Sequence, residues 1–264
     1  MKKQILAVMV GLTFILGGCS KQSAQNTEST DSKQSISNIE NILQEVKKDT
    51  KEIKSGKAYL MLSIYSDNSE PEKGAGYERS GDEKFDPLEI AIKGKFLTPT
   101  KNLEIEDYVK DGVYYTKTEV GSKGVWQKSK VSTDNKHVLN FKTESLNNKD
   151  GILNLLDNKD NWDVTKDGDK VTFKLKKTDE LKNKVIEERV KKISKQVKFS
   201  EFDYTIEYVF NTKTKDIEKI VSELNFKTEG STTKGTIKGS LEEINKEVKI
   251  EVPEESKSAI ELKK

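Results

Sequence analysis

Cys19 is the only thiol in a chain of 264 residues, and His137 is its only imidazole, so the side-chain chemistry open to this protein is narrow. A single cysteine forms no intramolecular disulfide. A single histidine provides no second imidazole for a zinc site, and a Ser-His-Asp relay lacks the Gly-x-Ser-x-Gly elbow that would expose its serine. Ser231-Thr232-Thr233-Lys234, Ser66-Asp67-Asn68 and Lys54-Ser55-Gly56 spell out or approximate the three strings of serine acyl-transfer sites of the Ser-x-x-Lys type. They stand in reverse order, however, and Ser231 falls in a Gly-rich turn, not at the start of a buried helix. Asp157, Asp160 and Asp163 lack the spacing of a calcium loop and enclose Lys159, so they read as a turn. Lys191, Lys192 and Lys195 read as the solvated face of a helix, although the same cluster would suit anionic headgroups. No enzyme, cofactor or metal site is expected.

The thiol of Cys19 has a context that the other candidates lack. Lys2 and Lys3 form a positive start, and residues 5–16 form an apolar run interrupted only by Gly11 and Thr13. That run has the length of a secretory core and falls short of the roughly 20 apolar residues a membrane-spanning helix needs. It leads into Leu16-Gly17-Gly18-Cys19, the pattern of a bacterial lipobox. The small residues let the backbone lie close to a protease. The thiol then takes a diacylglyceryl group, and cleavage leaves the lipidated cysteine as the new amino terminus. Two acyl chains make a stable anchor where one does not. Residues 1–18 are therefore read as a signal peptide and Cys19 as the lipidation site on an exported, membrane-anchored protein.

Removing Lys2 and Lys3 from 47 basic residues leaves 45 against 45 acidic ones, so the mature chain is formally neutral. A neutral chain does not present the basic groove that nucleic acid requires. Residues 20–35, SKQSAQNTESTDSKQS, contain one apolar residue and no periodicity. They read as a flexible tether with an average reach of roughly 20 Å, followed by a single domain over 36–264.

The elements of that domain follow from periodicity. Ile36, Ile39, Leu43, Val46, Thr50 and Ile53 recur at spacings of three and four, which predicts a helix stopped by Gly56. Strands are expected at 59–65, 90–97, 103–109 and 113–119, the last two joined by an Asp111-Gly112 hairpin turn. Residues 66–89 are polar and rich in glycine, which suggests a mobile flap or strand that the pattern conceals. A hairpin over 162–175 is expected to turn at Asp167-Gly168. A second helix is expected over 179–198, with Leu181, Val185, Ile186, Val190, Ile193 and Val197 as its stripe. The final third reads as a meander of strands at 202–210, 217–227, 234–243 and 248–252. Phe202, Tyr204, Ile206, Tyr208 and Phe210 alternate with polar residues and so share one face.

The fold class that results is α+β: a large, curved antiparallel sheet, a half-barrel, with helices covering its concave apolar face. Three stretches, ILQEVKKDTKEIKSGKAYLMLSI at 42–64, YVKDGVYYTK at 108–117 leading to VWQK at 125–128, and VKIEVPEESKSA at 248–259, resemble the LolA/LppX-type lipoprotein-carrier superfamily, and most closely Gram-positive lipoproteins of that fold. The resemblance implies an apolar ligand, often acyl chains, held between sheet and helices. Five apolar side chains on one face of 202–210 exceed what a partial helix cover needs. Tyr204, Ile206 and Tyr208, with Leu224, Phe226 and Ile237 from the following strands, are accordingly the candidate lining of a ligand pocket. A one-residue slip would send them to the other face. If instead they pack directly on the helix, the protein is an adaptor or accessory lipoprotein with a filled core.

Overall fold

The computed structural model describes residues 38–120, 123–131, 152–188 and 198–262. Cys19, His137 and the lysines at 191, 192 and 195 lie outside the described residues. Twelve strands form one open sheet: β1 (Ser55–Ser66), β2 (Ala75–Phe85), β3 (Leu88–Leu97), β4 (Leu103–Lys110), β5 (Val113–Val120), β6 (Lys123–Lys130), β7 (Trp162–Asp167), β8 (Lys170–Leu175), β9 (Phe199–Asn211), β10 (Asp216–Thr228), β11 (Thr233–Glu242) and β12 (Ile260–Glu261). Their order across the sheet is β12-β6-β5-β4-β3-β2-β1-β11-β10-β9-β8-β7. Two antiparallel meanders, β1–β6 and β7–β11, thus meet where β1 pairs with β11. The one parallel contact among the described strands is β12 on β6, at the edge.

The first helix, α1 (Ile39–Lys51), buries Leu43, Val46 and Thr50, the stripe expected from the spacing. It ends before Gly56. Glu52 closes it by donating its N–H to Asp49 O, and Gly56 lies inside β1 instead, where a Cβ would stand 2.7 Å from Leu241 Cδ1. Residues 152–157 form a 3-10 segment that buries Ile152, Leu153, Leu155 and Leu156. Trp162 Nε1 donates to Leu155 O at 2.8 Å, and Lys47 of α1 reaches Asp157 at 2.5 Å, which ties that segment to both neighbours. The second helix, α2 (Asp179–Ile186), starts where Thr178 Oγ1 accepts from Leu181 N–H at 3.2 Å, and it buries Leu181 and Val185. Positions 189–197 of the expected helix lie outside the described residues. These three segments cover one face of the sheet, and their apolar side chains join a single core cluster with strands from β1 to β11.

Of the two alternatives for the polar stretch at 66–89, the concealed strand is the one found: it contains β2, paired on both sides with β1 and β3. Two further expectations change. The two Lys-Asp-Gly turns differ by one residue. Asp111 and Gly112 both take positive φ between Lys110 and Val113, whereas Asp167 is already paired with Lys170, leaving Gly168 and Asp169 as the loop. A glycine at the first loop position permits that second turn type. Residues 248–252 form no strand and pair with none of the described strands. Ile250 is buried there and its carbonyl accepts from Lys110 Nζ, so packing on the sheet, not strand pairing, sets the alternation.

Candidate functional site

The inner face of the sheet, the one beneath α1, α2 and 152–157, is best followed row by row across the strands. One row runs Tyr204, Leu224, Ile237, Leu62, Tyr77, Phe96, Leu103 from β9 to β4. The next runs Ile206, Ser222, Gly239, Leu60, Arg79, Gly94, Ile105. A third runs Tyr208, Ile220, Leu241, Ala58, Gly81, Ile92, Asp107. Directly opposed residues in a ladder point to the same side, so these rows map the surface without gaps.

The six residues singled out from sequence come together on this face. Tyr204, Ile206, Tyr208, Leu224 and Ile237 are only 1 to 4% exposed and belong to the main core cluster. Phe226 is half-buried. Its ring lies over its cross-strand partner Gly235, where a Cβ would stand 2.2 Å from Cζ, and it meets Phe199 edge-on at 5.6 Å. Tyr204 has a polar handle, because its hydroxyl donates to Lys176 O at 2.5 Å. Burial, followed by the neighbouring Asp203 charge, pushes that hydroxyl up to about 12.

Toward β2 the same face changes character. Tyr77, Arg79 and Glu83 alternate along β2, and Asp107 of β4 and Tyr114 of β5 complete a polar group among aliphatic neighbours. Glu83 is 1% exposed, and its Oε1 has no hydrogen-bond partner among the described residues. The same holds for Tyr77 Oη and for Ser222 Oγ in the adjoining row. The Arg79 guanidinium sits 4.8 Å from the centroid of the Tyr77 ring, above its face. Asp107 is engaged, accepting the Tyr114 hydroxyl at 2.7 Å. Burial raises Glu83 to about 8 against the opposing pull of Arg79, so at neutral pH it is a neutral carboxylic acid and a donor. Burial likewise raises the Tyr77 and Tyr114 hydroxyls, so both remain donors.

Glycines beside Arg79 let neighbouring strand backbones approach closely. Gly94 opposes it, and a Cβ there would stand 2.2 Å from Glu78 O and 2.5 Å from Arg79 Cα. At Gly81, two residues along, a Cβ would stand 2.0 Å from Ala91 O. No side chain fits either place, since the strand backbones approach too closely. In the first row, next to Leu103, Phe96 is 43% exposed, one of three large apolar side chains exposed among the described residues. The outer face contrasts with all of this. It carries cross-strand ion pairs such as Lys93–Glu106 at 3.1 Å, Lys117–Glu106 at 2.9 Å and Lys95–Glu78 at 2.8 Å, which favour solubility more than stability.

Sequence reasoning missed the β2 group because its inner positions are polar or glycine, which hides the alternation of a strand. A signal was present nonetheless. Arg79 is one of only two arginines among 47 basic residues, and arginine differs from lysine in offering a planar fork of donors.

Residues 38–261 match the family model DUF6612, described as a family of unknown function. The chain belongs to that family. Among curated proteins none matches this DUF6612 chain. Among solved structures it is similar to LprF from Mycobacterium bovis, with 17% identity over 81% of this chain and 96% of that one at a TM-score of 0.43. The lipoprotein LppX from Mycobacterium tuberculosis shares 13% identity over 80% and 98% of the two chains, with a TM-score of 0.35. A DUF1329 family protein from Desulfovibrio piger shares 8% over 79% and 93%, with a TM-score of 0.25.

Proposed function

We propose that this DUF6612 protein is an exported, non-enzymatic lipoprotein, held on the outer side of the cell membrane by the diacylglyceryl group on Cys19, whose domain binds a lipid or other apolar ligand against the inner face of its sheet. The observation that carries the proposal is the state of that face. Buried polar atoms normally find partners inside a self-filled core, yet Tyr77 Oη, Glu83 Oε1 and Ser222 Oγ find none among the described residues, on a face that is mostly apolar. A ligand is the natural complement of such a surface. Tyr204, Ile206, Tyr208, Leu224, Phe226 and Ile237 supply the apolar contact on this reading.

Organic extraction of the purified protein, followed by mass spectrometry, is the direct test. A stoichiometric apolar molecule is expected. The second reading, an adaptor acting through its surface, is favoured by the near-complete burial of Tyr204, Ile206 and Tyr208. Ile206→Trp separates the two. Under the carrier reading it abolishes co-purification of the ligand with little change in melting, whereas in a filled core it destabilises by about 1–3 kcal/mol. A clean extract together with that destabilisation would refute the carrier.

A further inference from the structure

We infer that the outward edge of β6 is a strand-addition site for an extended, acidic segment of a partner protein, and that the chain's own β12 holds this edge until such a segment displaces it. β6 pairs with β5 along all eight of its residues, Lys123–Lys130. On its other side β12 meets only Gln127 and Lys128, where Leu262 N–H donates to Lys128 O at 2.9 Å. Backbone groups alternate in direction along a strand, so Trp126 and Gly124 turn theirs to the same side as Lys128. β12 does not extend to them, and no other described strand pairs there. An edge of this kind is a template for an added strand. The chain takes a long route to reach it, since six strands separate β11 from β12 in the sheet. It is pinned on the way: Ser55 Oγ donates to Lys246 O at 2.9 Å, and Lys110 Nζ donates to the carbonyl of the buried Ile250. Beyond the 3-10 turn at Glu254–Ser258, Ala259 packs with Tyr108 and Trp126 in a small cluster on the outer face. The grip stops there. Ile260 is 60% and Leu262 47% exposed, so β12 is held by backbone pairing with its large side chains in solvent, and it can leave without disturbing the sheet. Charge selects the occupant. β6 carries Lys123, Lys128 and Lys130 and no acidic residue, which opposes pairing with a second copy of itself and favours acidic side chains opposite. β12 follows the same rule by setting Glu261 opposite Lys128. At the other end of the sheet β7 mixes its signs, with Asp163, Lys166 and Asp167, and makes no such selection.

The test uses the mature chain from position 19 with Cys19→Ser, as the parent and with Leu262→Pro added, which removes the N–H given to Lys128 O. The probes are fluorescein-labelled peptides matched in length to the eight residues of β6, alternating valine with glutamate, with lysine or with threonine, and binding is followed by fluorescence anisotropy. The glutamate peptide is expected to bind the Leu262→Pro chain about tenfold tighter than the lysine peptide does. It is also expected to bind that chain about tenfold tighter than it binds the parent, whose edge is open only part of the time. Hydrogen exchange locates the contact: the amides of Gly124 and Trp126 are expected to slow when the glutamate peptide is added. Gln127→Cys with Ile260→Cys, a pair of directly opposed positions, is expected to abolish binding when oxidised and to restore it when reduced. Equal affinity for the three peptides overturns the acidic partner. Equal affinity in the parent and in Leu262→Pro overturns the gating by β12. Binding that leaves Gly124 and Trp126 exchange unchanged, or no binding by either chain, overturns the site. Dimerisation of Leu262→Pro in sedimentation, without peptide binding, overturns the partner in favour of a second copy of this chain. If Leu262→Pro does not fold, removing residues 260–264 opens the same edge while keeping Ala259, and the same comparisons decide.

Discussion

Replacing Glu83 by glutamine keeps the shape of a buried side chain and removes its ionisation, and the consequence for stability follows from burial alone. In the unfolded chain the carboxyl titrates near 4.5, and in the folded protein burial raises it to about 8. Below pH 4.5 it is protonated in both states and does not bias folding. Between 4.5 and 8 the unfolded chain releases the proton while the folded chain keeps it, so stability falls by about 1.4 kcal/mol per pH unit. Above 8 both states are ionised and the loss levels off, with a ceiling of about 5 kcal/mol. Relaxation around the charge and the nearby Arg79 act to reduce that figure. The assay is urea unfolding at intervals from pH 5 to 9, parent against Glu83→Gln. The parent is expected to lose stability relative to the variant by several kcal/mol across the window, with the gap opening between pH 5 and 8. Parallel curves over the whole range would refute the reasoning, because a carboxyl with an ordinary titration contributes no slope there.

Phe173 and Phe210 are fully buried, so truncating either to alanine is expected to cost about 3–5 kcal/mol in chemical denaturation, and a loss under about 1 kcal/mol would contradict the packing. Gly94→Ala forces β2 and β3 apart, since its Cβ would fall 2.2 Å from Glu78 O. A destabilisation of about 1–3 kcal/mol is expected by the same method. Cys19→Ser is expected to move the protein from membrane to soluble fractions on cell fractionation, and unchanged membrane association would remove the anchor from the proposal.

Those elements that bury one stripe or one face were legible from the sequence. The spacing of Leu43, Val46 and Thr50 located α1, and the alternation from Phe202 to Phe210 located β9 together with the side of it that is buried. Local patterns of this kind depend on one segment and its own period. The β2 strand was not legible, because its inner positions include Arg79, Gly81 and Glu83, and apolar alternation is the only cue a lone strand gives. The reverse error arose at 248–252, where Ile250 and Val252 alternate without pairing. Gly56 misled for a related reason: a glycine that ends a helix and one that admits a close neighbour, here Leu241, look alike in a string. The six apolar residues shared a face as expected from their own strands. Their adjacency to Arg79 depends on the pairing of β1 with β11, which joins positions nearly the whole domain apart and leaves no local trace.

That pairing also governs how the molecule is made. Each meander pairs strands that follow one another in the chain, with α2 lying between β8 and β9, but the seam between them joins 57–66 to 233–242. A chain emerging amino terminus first therefore presents β1 with one edge unsatisfied until β11 has been synthesised. High contact order of this kind places folding in the millisecond-to-second range and makes closing the seam the late step. Until then the β1 edge and the apolar rows on both sides of it are exposed together, which makes the interval before residue 242 emerges the one in which a holding chaperone has most to protect.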